Sequence, residues 1–190
     1  MIYDLLLKGG HVIDPKNGVD SRMDVAIEGG KIAAVDRELA ASQARTAVDV
    51  SRLYVMPGLI DLHTHSYGYR AWTFPDEYAF PNGVTTVIDA GGSGYESFDH
   101  FKTTIVDRAR VRLLVLLNIV GAGMLGPVEQ GVAEMQPEPC AEVVRAHPDV
   151  IVGVKAAHFS GRGWESVDGA VRAAELSDTV AMIDYANHPD

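Results

Sequence analysis

The sequence predicts an α/β fold in which a small β-domain, residues 1–54, precedes the beginning of a barrel of βα units, residues 55–190. Two observations predict it. Up to residue 54 the chain consists of short extended segments separated by glycine pairs, whereas after Met56 long apolar runs alternate with helical patterns. Polar residues follow several of these apolar runs, which is typical of barrels whose chemistry lies at the C-terminal ends of the strands.

The β-domain is predicted from extended segments that glycine pairs or polar stretches separate. The predicted strands are Tyr3–Lys8, His11–Ile13, Asp24–Glu28, Lys31–Val35, Ala47–Val50 and Leu53–Met56. Gly9-Gly10 and Gly29-Gly30 supply the positive backbone angles that tight hairpins need, so each pair predicts a hairpin turn.

The barrel part is predicted from five apolar runs that are almost unbroken, as in parallel strands buried on both faces. These runs are Leu59–His65, Thr85–Ala90, Arg112–Val120, Val150–Ala156 and Thr179–Tyr185. Between them, apolar residues at helical spacing predict helices over 98–109, Pro139–Ala146 and Trp164–Leu176.

Composition excludes some classes of partner. Sixteen basic and 26 acidic residues give a formal net charge of −10, which should repel nucleic acid and anionic membranes. Cys140 is the single cysteine, so no intramolecular disulfide is possible and a reducing compartment is favoured. The N-terminus lacks a basic leader, and no apolar run approaches the ~20 residues that span a bilayer. We therefore expect a cytoplasmic protein.

The most informative segment is VMPGLIDLHTH, residues 55–65. Side chains of a strand alternate between its faces, so Asp61, His63 and His65 should share one face. Two imidazoles at one strand end make a natural pair of metal ligands. In an arbitrary protein such a pair is more often a chance feature of a solvated strand, but the preceding Pro-Gly turn and the following loop favour a site here.

Three segments carry a resemblance to a known family. PGLIDLHTH at 57–65 resembles the first barrel strand of the amidohydrolase superfamily, and NGVTTVIDAG at 82–91 resembles its second strand. VGVKA at 152–156 resembles the strand whose lysine is carboxylated by carbon dioxide. The combination is more similar to the deacetylase-like group than to true dihydroorotases.

The resemblance implies a metal site. His63 and His65 would hold the more buried ion, with Zn²⁺ as the default metal and one or two divalent ions bound. Lys155, carboxylated by carbon dioxide, would bridge two ions. Asp184 occupies a position where many relatives have a histidine ligand, so either Asp184 or His188 would replace it. Without the resemblance, Lys155 is interpreted as an ordinary lysine paired with Asp89 or Asp184.

Other polar residues near predicted strand ends have two open interpretations each. Asp61 either orients an imidazole or is a hydrogen-bonded interior acid. Asp89 and Asn118 either face the rim or belong to a polar network. His158 either contacts substrate or lies on the surface. The glycine-rich segment 90–94 predicts a flexible βα-loop, with an anion cradle as the alternative.

The strand count indicates an incomplete fold. A closed barrel takes about 250 residues, and five parallel strands cannot close on themselves. An open doubly wound sheet is possible, but the resemblance favours an incomplete (β/α)₈ TIM-type barrel of about five strands, preceded by part of a small β-sandwich domain. We therefore expect an exposed sheet edge and exposed apolar faces, which favour aggregation.

The resemblance implies a metal-dependent hydrolase of a carbon–nitrogen amide bond, in a cyclic amide or an N-acyl group. In that family an aspartate from a later strand moves the proton, and because it lies beyond residue 190 we expect the chain alone to be inactive. The expected partners are a small-molecule substrate and, at full length, a second copy of the enzyme. One alternative is a catalytically silent scaffold, and another is an open-sheet ligand-binding domain complete at 190 residues.

Overall fold

The structure, a computed structural model, describes residues 2–68 and 73–184. It divides the chain into two compact units, residues 1–57 and 58–190, against a predicted boundary at 54. Among the described residues, no helix combines the length and apolar character needed to cross a membrane.

The first unit is a mixed five-stranded β-sheet. Its strands are β1 (Tyr3–Asp14), β2 (Val19–Glu28), β3 (Lys31–Asp36), β4 (Ala44–Asp49) and β5 (Tyr54–Val55). The order is β3-β2-β1-β4, with β5 also pairing with β1, and only the β1–β2 and β2–β3 pairs are antiparallel. Leu6, Val12, Val25 and Ala26 form its buried centre.

One of the two predicted hairpins is wrong. Gly29 and Gly30, with φ of 57° and 73°, do turn β2 into β3. Gly9-Gly10 instead lies inside the continuous strand β1, where the pairing with β2 shifts register between Leu7 and Gly10. Because β2 pairs with β1 on both sides of the glycines, the positive φ of Gly9 is absorbed as a bulge and not as a turn.

The second unit is a parallel five-stranded half-barrel. Its strands are β6 (Leu59–Thr64), β7 (Val84–Gly94), β8 (Arg112–Asn118), β9 (Ile151–Ala157) and β10 (Val180–Asp184), and its helices are α1 (Pro75–Ala79), α2 (Phe98–Thr104), α3 (Pro137–Ala146) and α4 (Glu165–Ser177). The spatial order β10-β9-β8-β7-β6 follows the chain without reversal. A doubly wound sheet reverses its strand order, so the prediction of an incomplete TIM-type barrel is confirmed.

The core of this unit lies between the sheet and its helices. Phe98 and Phe101 from α2 pack with Val115 and Leu117 from β8, and Ala170 from α4 closes the same cluster. Short α1 is a helix that the sequence analysis did not predict.

The two outer strands are open, as predicted. On β6, Ile60 and Leu62 are 60% and 64% exposed, and on β10 Val180 is 64% exposed. Nothing within the described residues pairs with the free side of either strand, so both present unpaired backbone groups.

Candidate metal centre

The predicted histidine pair lies at the carboxyl end of β6. The rings of His63 and His65 have centroids 5.2 Å apart and meet nearly edge to face, at 81°. Asp61 accepts a hydrogen bond from the backbone N–H of His63 through Oδ1 at 3.2 Å. In this structure Asp61 therefore fixes the strand end itself, and no contact with an imidazole is found in the described part of the chain.

Lys155 on β9 is the most unusual side chain of the half-barrel, because it is fully buried. Its Nζ donates to Asp184 Oδ2 at 3.1 Å and contacts Met182 Sδ at 3.7 Å. Parallel pairing of β9 with β10, which places Met182 beside Lys155, brings these groups together. The lysine stem also fills the space over Gly91, where an added Cβ would lie 2.7 Å from Lys155 Cγ.

Asp184 links the lysine to the histidines. Its Oδ2 atom lies 3.9 Å from His63 Nε2 as well as 3.1 Å from Lys155 Nζ. The hydrogen bond from Lys155 holds the pKa of Asp184 below its ordinary value, against the effect of burial. Asp184 therefore carries a carboxylate between an imidazole and an ammonium group.

His65 lies deeper than His63. Burial lowers the pKa of His65, and the charges of His63, Lys155 and His158 lower it further, while Asp184 acts in the opposite direction. A lowered pKa favours the neutral form of the ring, and the neutral imidazole is the form that binds a metal ion.

The four predicted ligands His63, His65, Lys155 and Asp184 thus meet at one end of the half-barrel. Two imidazoles and a carboxylate form the kind of donor set that zinc prefers. Across residues 2–68 and 73–184, no three His, Cys, Asp or Glu side chains are already spaced to hold an ion. The residues fit a divalent cation, provided that the Lys155–Asp184 ion pair opens and Lys155 becomes a metal ligand together with His63, His65 and Asp184. His188 lies outside the described residues, so the choice between it and Asp184 stays open.

Asp89 belongs to a polar network below this cluster. The fully buried carboxylate accepts hydrogen bonds from Ser66 N at 2.6 Å and Gly92 N at 2.7 Å. Burial raises its pKa to about 6, although these hydrogen bonds and the charge of Lys155 act the other way. Asp89 therefore ties the chain just after His65 to the end of β7, and it is not the partner of Lys155.

The prediction of a flexible loop at 90–94 is wrong. These residues continue β7 to Gly94 and are buried. Asn118 Nδ2 donates to Gly91 O at 3.0 Å, and Asn118 Oδ1 accepts from Val120 N at 3.0 Å. The backbone of Gly123 also packs so closely that an added Cβ would lie 2.3 Å from Gly92 O. This tight packing leaves no room for an anion cradle, and Asn118 belongs to the polar network.

His158 follows β9 and contacts a residue that the sequence analysis missed. Its Nδ1 atom lies 3.0 Å from Oε2 of Glu129, a buried acid in the 3₁₀ turn Pro127–Gln130 after β8. Because 29 residues separate the two and both lie in loops without periodicity, no sequence pattern indicated the pair.

Comparison with known proteins places this geometry in context, although no protein-family model matches the chain. The chain is 34% identical to a deacetylase of Enterococcus faecalis over 82% of its own length and 42% of the relative. It is 48% identical to a dihydroorotase of Citrifermentans bemidjiense over 70% of its own length and 32% of the relative. The chain therefore spans about two fifths or less of the length of these curated relatives.

A solved structure agrees with the fold. The crystal structure of a dihydroorotase superimposes with a TM-score of 0.86 at 26% identity, covering 97% of this chain and 52% of the other.

Proposed function

Because the chain belongs to the amidohydrolase superfamily, we propose that it supplies the metal-binding half-barrel of a hydrolase that cleaves a carbon–nitrogen amide bond. The bond lies in a cyclic amide or an N-acyl group, as the names deacetylase and dihydroorotase of its relatives suggest. The observation that carries the proposal is the buried Lys155, which lies 3.1 Å from an Asp184 carboxylate that also approaches His63.

Zn²⁺ is the cation that we propose, held by His63 and His65. When bound, it supplies Lewis-acid chemistry that polarises the amide carbonyl and lowers the pKa of water. His65 is suited to this role by its lowered pKa. Asp184 would supply an oxygen ligand, since its Oδ2 atom lies 3.9 Å from His63 Nε2.

Lys155 becomes a ligand by carboxylation. The ammonium group and carbon dioxide give a carbamate with release of two protons, so that one positive charge is replaced by one negative charge. The step separates Lys155 from Asp184, since both groups then carry negative charge.

One alternative has an observation in its favour. The Lys155–Asp184 ion pair is already formed, as it would be in a catalytically silent relative in which the pair is structural. Zinc binding distinguishes the two functions. A cytoplasmic location and self-association of the complete enzyme remain predictions from the sequence.

The experiment is a zinc titration by calorimetry, with intact-protein mass measured in bicarbonate buffer. We expect the chain to bind Zn²⁺ and to gain the mass of one carbon dioxide. Substitution of both His63 and His65 by alanine should weaken binding on the order of 100-fold or more. The control is His11→Ala, which removes an exposed imidazole from the β-domain.

Equal zinc affinity in the double variant, or no zinc binding by the unaltered chain, would reject the metal centre and favour the silent relative. Amide hydrolysis is tested with the protein translated from the complete reading frame, using N-acetyl amino acids and cyclic amides as substrates.

A further inference from the structure

Asp89 is a buried acid that holds two separate segments of the half-barrel. It is fully buried, and its two carboxylate oxygens bind different backbone groups. Oδ2 accepts from Ser66 N at 2.6 Å, in the segment after β6, and Oδ1 accepts from Gly92 N at 2.7 Å, near the end of β7. A single side chain therefore joins the ends of two neighbouring strands.

Both segments adjoin candidate metal ligands. Ser66 follows His65 directly, so the bound N–H belongs to the peptide group that joins the two residues. Gly92 follows Gly91, over which the stem of Lys155 packs, since a Cβ added at Gly91 would lie 2.7 Å from Lys155 Cγ. The buried carboxylate thus connects the backbone of His65 to the backbone that supports Lys155.

The two ends of this connection differ in what else holds them. Gly92 is fixed independently, because its carbonyl accepts from Met124 N at 3.1 Å. β6 ends at Thr64, which forms its last pair with β7, so the pairing of the two strands ends before His65. The contact of Asp89 with the next N–H therefore holds the backbone where sheet pairing no longer does.

The ionised form of Asp89 suits this contact. Both oxygens of a carboxylate are acceptors, whereas an amide of the same shape has one acceptor oxygen and an NH₂ group that would face a second donor. Burial raises the pKa of Asp89 to about 6, which leaves the side chain mostly ionised at neutral pH.

We propose that Asp89 is a positioning residue of the metal centre, which sets the place of His65 relative to Lys155 through its bonds to Ser66 and Gly92. Asp89 acts through the backbone and is not itself a ligand. The proposal rests on the proposed function and extends its site to a residue that binds no metal.

Asp76 offers a matched control in the same unit. Its carboxylate also bridges two backbone N–H groups, accepting from Arg110 N and Val111 N at 3.0 Å each. These groups precede β8 and lie at the amino end of that strand, whereas the candidate centre lies at the carboxyl ends. Asp76→Asn and Asp89→Asn therefore disturb the same kind of contact at opposite ends of the half-barrel.

The first measurement is made without metal, by NMR of the chain with isotope-labelled histidine. The rings of His63 and His65 have centroids 5.2 Å apart, so each ring affects the resonances of the other. We expect Asp89→Asn to shift the His65 ring resonances and Asp76→Asn to leave them unchanged. Circular dichroism reports whether each variant is folded.

The second measurement is the zinc affinity of both variants, by calorimetry at neutral pH. Substitution of residues that orient metal ligands typically weakens metal binding by about 10- to 100-fold. We expect a loss of about 10-fold or more in Asp89→Asn and of no more than about 2-fold in Asp76→Asn. A merely structural role would lower the stability of both variants without separating their zinc affinities.

The third measurement uses the unaltered chain, so it does not depend on the folding of a variant. If Asp89 couples its two hydrogen-bond donors to the metal site, zinc binding stabilises those bonds in turn, because coupling between two sites is reciprocal. We expect added Zn²⁺ to slow amide hydrogen exchange at Ser66 and Gly92 and to leave exchange at Arg110 and Val111 unchanged.

The outcomes separate this proposal from the proposed function. Unshifted His65 resonances in folded Asp89→Asn, equal zinc affinities of the two variants, or an equal effect of zinc on the exchange of all four amides would overturn the positioning role. If Asp89→Asn does not fold, the exchange measurement decides. Absence of zinc binding in the unaltered chain would instead count against the proposed function, and the metal-free resonances would still test the position of His65.

Discussion

Each unit of the molecule contains a lysine paired with an aspartate, and the two pairs differ in which of the two side chains is buried. In the β-domain the acid is buried and the lysine partly exposed: Lys8 Nζ lies 2.5 Å from Asp24 Oδ2, with side chains 33% and 3% exposed. In the half-barrel the lysine is buried and the acid partly exposed, since the side chains of Lys155 and Asp184 are 0% and 42% exposed.

The difference lies in how completely each buried charge is bound. Asp24 accepts from Lys8 and also from Gly9 N at 2.6 Å and Leu39 N at 2.8 Å. Lys155 has three protons to donate, yet its contacts among the described residues are one carboxylate oxygen and a weakly accepting sulfur. The carboxylate of Asp24 is therefore fully hydrogen-bonded, and the Lys8–Asp24 pair is a structural contact. The amine of Lys155 has fewer partners than it can bind, as is expected of a group that changes its chemical form by carboxylation.

The largest effect is expected from Asp24→Ala. Removal of the carboxylate leaves two partly buried backbone N–H groups without an acceptor and leaves the Lys8 ammonium with Leu39 O alone, which should lower the free energy of unfolding of the β-domain by about 2–4 kcal/mol. Native-state amide hydrogen exchange of Leu6 and Ala26 measures it. Asp20→Ala is the control, because Asp20 is 78% exposed. An equal effect of both substitutions would show that the Asp24 pair is not structural.

A smaller effect is expected from acidification. Burial raises the pKa of Asp24, but hydrogen bonds from Lys8, Leu39 and Gly9 outweigh it, so the folded-state pKa lies below the ordinary value of 3.8. The stabilisation is therefore present above pH 3.8 and is lost as the pH falls through the folded-state pKa. Hydrogen exchange in the β-domain should accelerate in this range beyond the intrinsic pH dependence. The same profile in Asp24→Ala would contradict the assignment, since that variant cannot lose the contact again.

The smallest effect on stability is expected from Lys155→Met. The substitution replaces an incompletely bound buried charge by an apolar side chain of similar length, and Asp184 can turn to water. The free energy of unfolding of the half-barrel should change by no more than about 1 kcal/mol in either direction. Urea unfolding followed by circular dichroism measures it. A loss of about 3 kcal/mol or more would mean that Lys155, like Asp24, is a structural residue.

The fold was largely predictable because its signals are local. The three inner strands of the half-barrel are nearly continuous apolar runs, and α3 and α4 have one apolar face each, so each element can be recognised from its own residues. The wrong hairpin at Gly9-Gly10 has the opposite origin. A positive φ fits a turn or a bulge equally well, and the pairing with β2 decides between them. The extension of β7 to Gly94 likewise depends on Gly123, which is distant in sequence.

The residues of the candidate site could be predicted from the sequence, but most of the contacts between them could not. The spacing of His63 and His65 identified one strand end, and Lys155 was recognisable as a charge within an apolar run. That Asp184 would pair with Lys155, and that Asp89 would bind backbone N–H groups instead, depends on which strands are neighbours. Glu129 could not be found at all, because loops carry no periodic signal that links two positions.

The sequence by itself determined the order of the elements, the buried faces of the strands and the chemical types gathered at the ends of β6, β9 and β10. These follow from side-chain periodicity, which acts over a few residues. The tertiary structure alone decided the partners: Asp184 with Lys155, Asp24 with Lys8, and Glu129 with His158. The physical reason is that hydrogen bonds and ion pairs act over about 3 Å, so strand register and loop packing decide which of several suitable groups meet.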